Sequence, residues 1–392
     1  MAERAKKPGT RRAARLASVT LSGVPAFGAR TALTLELEPG VTVLVGRNGA
    51  GKSAILTGIT TIAAAVLRDP SVTIWPRDER RSAAFQLHDP KLGELTYTCR
   101  YDAMFTKDGP SRRWTEACST TAGTLWSQAK GRVFAGDDTI LVPEGVSYLG
   151  TGPGSPEAKA FLDLFRSFTI VPSGLPRASL DEGSPAYSFV RVQGTSLLDK
   201  PRDRVRGLVS RLVSWHLGAD PALAELNAIL RRLKLLREPI EVVVVPLRKG
   251  PERDGMSETF AHVQAEGLLD LLDLSDGTLR VIEILASVLG SAPGSVTFVE
   301  EPETGIHPGL LGKIVDELKA YAHDRQIVIA THSADVVSKL AGTALRLVSR
   351  LNGRVQVRRV TAPEAKRIKA FLEDGNLGEF VFGGGLGEDD EA

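Results

Sequence analysis

From residue 17 onward, apolar positions alternate with polar ones. Leu21, Val24 and Phe27, then Leu33, Leu35 and Leu37, predict an antiparallel strand pair that turns near 25–28 and closes at Pro39-Gly40. Residues 41–45 lose the alternation and read as a buried strand. From Gly51 the period lengthens: Ile55, Leu56, Ile59, Ile62, Ala63 and Val66 fall on one face of a helix that ends before Pro70. The chain therefore opens as strand, glycine loop and helix.

Residues 71–141 predict several short β pieces, notably 95–101, Val133 and 140–142, separated by polar turns and suited to extending a mixed sheet. Residues 156–168 predict a helix and 171–184 a mobile linker. Amphipathic helices at 204–217 and 221–236, the second striped by Leu223, Leu226, Leu230 and Leu233, predict a helical lobe. Residues 240–247 return to a strand, 265–272 predict a short helix and 278–289 a longer one. Apolar strands at 296–299 and 326–330 flank a helix at 310–322, the βαβ rhythm of a mostly parallel sheet, so the fold class is α/β. A hairpin at 345–351 and 355–360 turns at Asn352-Gly353, followed by a helix at 362–372 and an acidic tail at 388–391.

A length of 392 residues suits one large α/β core with an insertion or second lobe. Hydrophobic and charged fractions of 42% and 24% exclude a disordered, rod-like or collagen-like chain. Lys plus Arg number 49 against 47 Asp plus Glu, so there is no general pull toward nucleic acid, and DNA contact requires a local patch such as 202–211 or 231–237. The simpler reading of both patches is a solvated helix face. Cys99 and Cys118 cannot build a disulfide framework or a four-ligand zinc site, which fits a reducing cytoplasm. The basic start, 1–16, has no signal-peptide core and reads as a flexible arm. No apolar stretch approaches the roughly 18 residues of a membrane span, so no membrane partner is expected.

Three segments carry chemistry. Gly46, Arg47, Asn48, Gly49, Ala50, Gly51, Lys52 and Ser53 form a complete Walker A loop between a buried strand and a helix. Its glycines let backbone N–H groups turn inward around phosphates, and the first helical turn aims free donors at the same charge. Lys52 is expected to reach the β- and γ-phosphates of ATP and Ser53 to hold Mg²⁺. A second buried strand ends in Glu300 and Glu301; Glu300 is assigned to the metal and Glu301 to the attacking water. A third ends in Thr331-His332-Ser333, and His332 is assigned to the γ-phosphate or the water.

These segments resemble the ATP-binding-cassette class of P-loop ATPases, in the branch of RecF, SMC and Rad50-type proteins and OLD-like bacterial AAA-family ATPases. Leu274-Ser275-Asp276-Gly277-Thr278-Leu279-Arg280 is similar to its signature loop, Glu300-Glu301-Pro302-Glu303 to its Walker B, Gly305-Ile306-His307-Pro308 to the loop after it, and Thr331-His332-Ser333 to its switch histidine. The resemblance covers 17–58 and 271–350. It implies an ABC-type head with a mixed sheet core, an antiparallel β subdomain and an inserted helical lobe. It also implies a homodimer through ATP-bound heads, Ser275 and Gly277 of one contacting the γ-phosphate held by the other. Glu300 stands where aspartate is frequent, and Gln86 is the candidate Q-loop metal contact. Arg47 and Arg280 are candidates for positive charge in the sandwich, the alternative being surface salt bridges.

The expected organisation is a basic arm at 1–16, head segments at 17–150 and 240–380 around a helical insertion or lid at 151–239, and a flexible acidic tail at 381–392. Nothing after His332 resembles the acidic clusters of a Toprim nuclease. The glycine-rich ending, 375–387, is similar to endings of small bacterial ATPases of this kind, some of which pair with a separate Toprim-like effector protein, the alternative being a flexible C-terminal linker. The function expected is Mg-dependent ATP hydrolysis driving head-to-head dimerisation, coupled to DNA or to an effector in DNA maintenance or phage defence. The alternatives are a nucleotide-gated interaction or transporter-associated module, and a kinase.

Overall fold

The alternating opening segment pairs as its pattern requires: β1 (Arg15–Ser22) runs antiparallel to β2 (Ala32–Glu36), with Leu21 opposite Leu33 and Val19 opposite Leu35. In this computed structural model the described residues are 13–27, 32–67, 79–173, 189–246, 259–340 and 344–364, apart from gaps at 107–108, 144–145, 153, 194–195, 198–203, 268 and 362. Arg15 and Leu16, assigned above to the arm, belong to β1; the rest of that arm up to residue 12, most of the 362–372 helix, the glycine-rich ending and the acidic tail lie outside the described residues.

After β3 (Val41–Val45) and α1 (Lys52–Val66), the chain forms a long antiparallel meander. Its strands are β4 (Glu79–Asp89), β5 (Gly93–Thr106), β6 (Gly109–Thr120), β7 (Gly123–Ala129), β8 (Arg132–Ala135) and β9 (Asp138–Leu141). With β1 and β2 they make an eight-stranded sheet, ordered β2-β1-β4-β5-β6-β7-β8-β9. The short pieces expected here are instead strands of up to 14 residues, paired antiparallel throughout. One face is buried: Leu95, Tyr97, Cys99 and Tyr101 point into the core while Thr98 and Arg100 between them are exposed. That one-sided burial dilutes the apolar signal along the sequence.

Glu116 ties this sheet to the segment that follows. Its carboxylate is 2% exposed and accepts from Trp114 Nε1 at 2.7 Å, Ser147 Oγ at 2.8 Å and Leu149 N at 3.1 Å, and also from the Tyr97 hydroxyl and Tyr148 N. Burial pushes its pKa up, and the donors from Tyr97, Trp114, Ser147 and Leu149 oppose that shift.

Next come α2 (Pro156–Arg166) and β10 (Thr169–Val171), then β11 (Phe189–Gln193), β12 (Ser196–Leu197), α3 (Arg204–Leu217), α4 (Pro221–Arg232), β13 (Glu241–Pro246), β14 (Thr259–Ala265) and β15 (Leu269–Asp270). The last five strands form a small sheet ordered β12-β11-β14-β13, with β15 beside β14. The helix expected at 265–272 is absent. Glu266 and Gly267 take φ +48 and +83, which turns the chain back, and Asp270 Oδ1 then accepts from Leu272 N at 2.8 Å to open a single 3-10 turn at 271–273. Left-handed residues in succession cannot continue a right-handed helix, so the turn overrides the apolar spacing. Val171, expected to open a mobile linker, is buried and closes β10; 174–184 lie outside the described residues.

The remaining elements are α5 (Asp276–Leu289), β16 (Val296–Glu300), α6 (Pro308–Tyr321), β17 (Gln326–Thr331), α7 (Ala334–Ser338), β18 (Leu345–Leu351) and β19 (Arg354–Arg359). They complete a six-stranded sheet, β10-β16-β17-β3-β18-β19, parallel except for the final pair. Every residue of β16 and β17 is buried, as a parallel sheet covered on both faces demands. Val43 and Val45 of β3 face one core with α3 to α6, whereas Leu44 faces a second core with α1, α2 and the antiparallel sheet. Helix α1 is thus sandwiched between the two sheets. Among the described residues no helix is long and apolar enough to cross a membrane.

Replacing Glu116 by Ala takes the acceptor from the Tyr97 hydroxyl, Trp114 Nε1, Ser147 Oγ and Leu149 N, while Tyr148 N keeps Gln128 Oε1 at 2.8 Å. We expect a loss of roughly 3 kcal/mol or more in unfolding free energy, read as a lower urea midpoint.

Candidate functional site

The carboxyl ends of β16, β17 and β3 lie side by side, because Glu300 pairs in register with Ala330, Ala330 with Leu44, and Thr331 with Val45. Each strand runs straight into one chemical segment. The loop 46–51 leaves β3, Glu301 follows β16, and His332 follows β17. Residues far apart in sequence therefore share one edge of the sheet.

Glycine is required in the loop for two reasons. A Cβ on Gly46 would stand 2.2 Å from the carbonyl oxygen of Val348 in β18, and one on Gly51 would stand 2.8 Å from Val355 in β19. Gly51 also takes φ +110, and it caps α1 with no side-chain acceptor. With no acidic residue in the first turn, the free N–H groups of α1 are left for an anion. Arg47, Asn48 and Gly49 are exposed, while Ala50 and Lys52 are buried. Lys52 Nζ donates to the carbonyls of Gly46 at 2.7 Å and Arg47 at 3.0 Å. Burial lowers its pKa, and the charges of Glu301 and Glu303 act in the opposite sense.

Glu300 is 6% exposed, and Ser173, just beyond β10, points its N–H at Glu300 Oε2 at 3.4 Å. Glu301 leaves the strand with φ +41, an unusual conformation for a side chain of this length, while its N–H donates to Ala330 O at 2.7 Å. Glu303 Oε1 accepts from Thr331 Oγ1 at 2.8 Å and His332 N at 3.1 Å. His332 Nδ1 stands 3.6 Å from Glu301 Oε1 and 3.4 Å from Glu303 Oε1. The structure thus brings Lys52, Glu300, Glu301 and His332 to one group of strand ends. It gives parts to Glu303 and Thr331, which lie in the motif segments without an assigned role, and adds Ser173, which no motif contains.

The other candidates lie elsewhere or behave differently. Ser275 is the exposed N-cap of α5, its hydroxyl 2.9 Å from that of Thr278. Gly277 has a role within its own chain, since a Cβ there would meet Gly305 O at 2.3 Å. Gln86 does not join the strand-end group. It sits mid-strand in β4 on the face turned away from buried Phe85 and Leu87, and accepts from Ser18 Oγ at 2.7 Å. Arg280 is neither a sandwich cation nor a surface ion pair: it is fully buried, bonded to Glu283 and to the carbonyl of Glu300. The expected DNA patches are also reduced, because Arg211 turns inward to Ser287 and Arg232 forks onto Glu317.

Comparisons with known proteins match two family descriptions and a known fold. Residues 18–137 match a family described as "AAA domain", and 160–338 match one described as "AAA domain, putative AbiEii toxin, Type IV TA system". Among solved structures, an SMC head bound to the C-winged helix domain of ScpA is similar at TM-score 0.52 and 13% identity, over 90% of this chain and 99% of that one. The SMC head domain from Thermotoga maritima gives TM-score 0.45 and 14% identity, over 89% and 100%. A comparison with curated proteins gave no match. The chain is a P-loop, ATP-hydrolysing enzyme of the AAA-domain type with a head fold like that of SMC proteins.

Lys52→Ala removes the cation that the loop folds around. Turnover should fall roughly 100-fold or more together with ATP affinity, with thermal unfolding of the nucleotide-free protein little changed. Steady-state hydrolysis and binding of a fluorescent ATP analogue measure both.

Proposed function

We propose that this ATPase is a Mg-ATP switch in which two copies close head to head around nucleotide. The observation that carries the reading is the convergence of Lys52, Glu301 and His332 on neighbouring strand ends. ATP phosphates occupy the loop 46–53, where Lys52 exchanges its loop carbonyls for phosphate oxygens. Glu301 orients a water for attack on the γ-phosphorus and accepts its proton as the bond to ADP breaks, releasing inorganic phosphate. His332 lies beside Glu301 and donates to the transferring phosphoryl group or steers the water.

The donors fit a hard divalent cation. The Ser53 hydroxyl is exposed at the start of α1, and the Glu300 carboxylate is buried at the end of β16, an oxygen-only pair of the kind that magnesium uses alongside substrate phosphates and water. Bound there, Mg²⁺ supplies neutralisation of the β- and γ-phosphate charge. Ser53 and Glu300 hold it, while Glu301 remains available for the water.

Dimer closure is supported by the position of Ser275. It is exposed at the N-terminus of a 14-residue helix whose dipole favours an anion, and its hydroxyl, which caps Thr278 N at 3.3 Å beside Asp276 of the first turn, is placed to turn to a γ-phosphate from a facing head. ATP binding and dimerisation are then thermodynamically linked. We extend the proposal to an output on DNA or on a separate effector protein in DNA maintenance or phage defence. Similarity to an SMC head and to a family described by a toxin–antitoxin system supports that direction.

Glu301→Gln should keep ATP binding and lose hydrolysis roughly 100-fold or more, whereas Glu300→Gln should raise the Mg²⁺ concentration needed for half-maximal turnover. With Mg-ATP, Glu301→Gln should sediment as a dimer, and adding Ser275→Arg should return it to monomer without blocking nucleotide binding. Mixing Lys52→Ala with Ser275→Arg chains should recover ATPase activity, because one sound composite site forms. Only monomer at micromolar concentrations, or no recovery on mixing, rules out symmetric closure. Stimulation of turnover by double-stranded, single-stranded or end-blocked DNA tests the output, and no response to any of them directs it to a protein effector.

A further inference from the structure

Arg280 is 0% exposed, and a guanidinium taken out of water persists only where its donors are used. Nη1 reaches Glu283 Oε2 at 3.1 Å, one turn along α5, and Nη2 donates to the carbonyl oxygen of Glu300 at 2.6 Å. That carbonyl and the N–H of Glu301 belong to one peptide unit, and the N–H donates to Ala330 O at 2.7 Å. The peptide plane is therefore pinned at both ends, from α5 on one side and from β17 on the other. Its orientation decides where the Glu301 side chain goes, because Glu301 has φ +41, a backbone state that needs its neighbours to impose it.

Glu283 leads outward from this clamp. It is 7% exposed and faces a second guanidinium, Arg211 of α3, whose Nη1 donates to Ser287 Oγ at 2.9 Å. Burial lowers the pKa of Arg211, and the charge of Glu283 opposes that shift. Arg211, Glu283 and Arg280 thus run from the helical lobe through α5 to the peptide bond in front of the proposed water-activating carboxylate.

We propose that Arg280 is a positioning residue for ATP hydrolysis, clamping the Glu300–Glu301 peptide so that Glu301 faces the phosphate site, and that Arg211 and Glu283 make its grip depend on how α3 packs against α5. This rests on Glu301 being the group that acts on water. The lobe then tunes the rate of hydrolysis without touching nucleotide.

The test uses the full chain with Mg-ATP in single-turnover assays. Arg280→Lys keeps the charge beside Glu283 but replaces the planar fork, whose two nitrogens reach Glu283 and the Glu300 carbonyl separately, by a single shorter ammonium. The pair Arg280→Met with Glu283→Met removes both charges together and leaves no orphaned carboxylate to unfold the core. Hydrolysis should slow about 10-fold in the first and about 100-fold in the second, while affinity for a fluorescent ATP analogue stays within about 3-fold. Neither change should slow Glu301→Gln any further, because Arg280 acts through Glu301. Arg211→Met should slow hydrolysis in the same sense and be equally silent in the Glu301→Gln background. Unchanged hydrolysis in the Arg280 variants, or losses that multiply with Glu301→Gln, overturn the clamp. An unchanged rate in Arg211→Met overturns the link to the lobe. Normal turnover by Glu301→Gln itself is a different failure, since it removes the proposed role of Glu301 rather than that of Arg280.

Discussion

Strands buried on both faces have one place to expose charge, and that is where they end. Between their ends, the apolar runs of β16, β17 and β3 hold no polar side chain beyond small hydroxyls such as Thr42 and Thr297; the buried Gln326 and Glu300 stand at strand ends. Parallel alignment then sends the three carboxyl ends the same way, and the register sets them level with one another. The glycine loop, the acidic pair and His332 become neighbours because the sheet leaves them no other exit. Without this constraint, residues separated by most of the chain would have no reason to meet.

The same constraint explains how much of the site could be read from the sequence. A glycine loop between an apolar strand and an amphipathic helix, or carboxylates at the end of an apolar run, are local patterns, and each fixes its own placement. Glu303 is different. It looks like one more acidic residue, and its bonds to Thr331 and His332 exist only because β16 lies beside β17. Ser173 reaches Glu300 only because β10 joins the parallel sheet at its edge, and nothing in its local sequence announces that. Gln86 shows the converse error. Its distance along the chain from α1 was suitable, but the period of two in β4 turns it onto the face away from the core, where Ser18 takes its amide oxygen.

The antiparallel meander and the lobe were less legible for a related reason. A strand buried on one face alternates every second residue, so charged residues such as Arg100 and Asp102 interrupt the pattern without ending the strand. Arginines on the lobe helices read as a solvated or DNA-facing stripe until burial is known. Arg211 shows that a basic residue near an acidic one on a neighbouring helix can instead be part of the packing between them. Charge in sequence says little about exposure when its partner is supplied by another element.

Electrostatic balance at the strand ends argues for an incomplete site in the isolated head. Lys52 is surrounded by its own loop carbonyls and faces Glu301 and Glu303, with Glu300 buried at the adjoining strand end. These carboxylates help keep the buried lysine charged, and they also repel an incoming triphosphate. One lysine and the free N–H groups of α1 oppose several negative charges on both protein and nucleotide. Each further positive contribution therefore has a large effect in this partly water-excluded setting. In the proposed closed state those contributions come from Mg²⁺ at Ser53 and Glu300, and from the N-terminus of α5 on the facing copy. In that proposal the α5 contribution is withdrawn when phosphate leaves and the heads part, so the acidic groups assigned to hydrolysis also favour product release. On the proposed reading, the carboxylates that activate water also make the nucleotide-bound head depend on a partner, and tie opening to the chemistry itself.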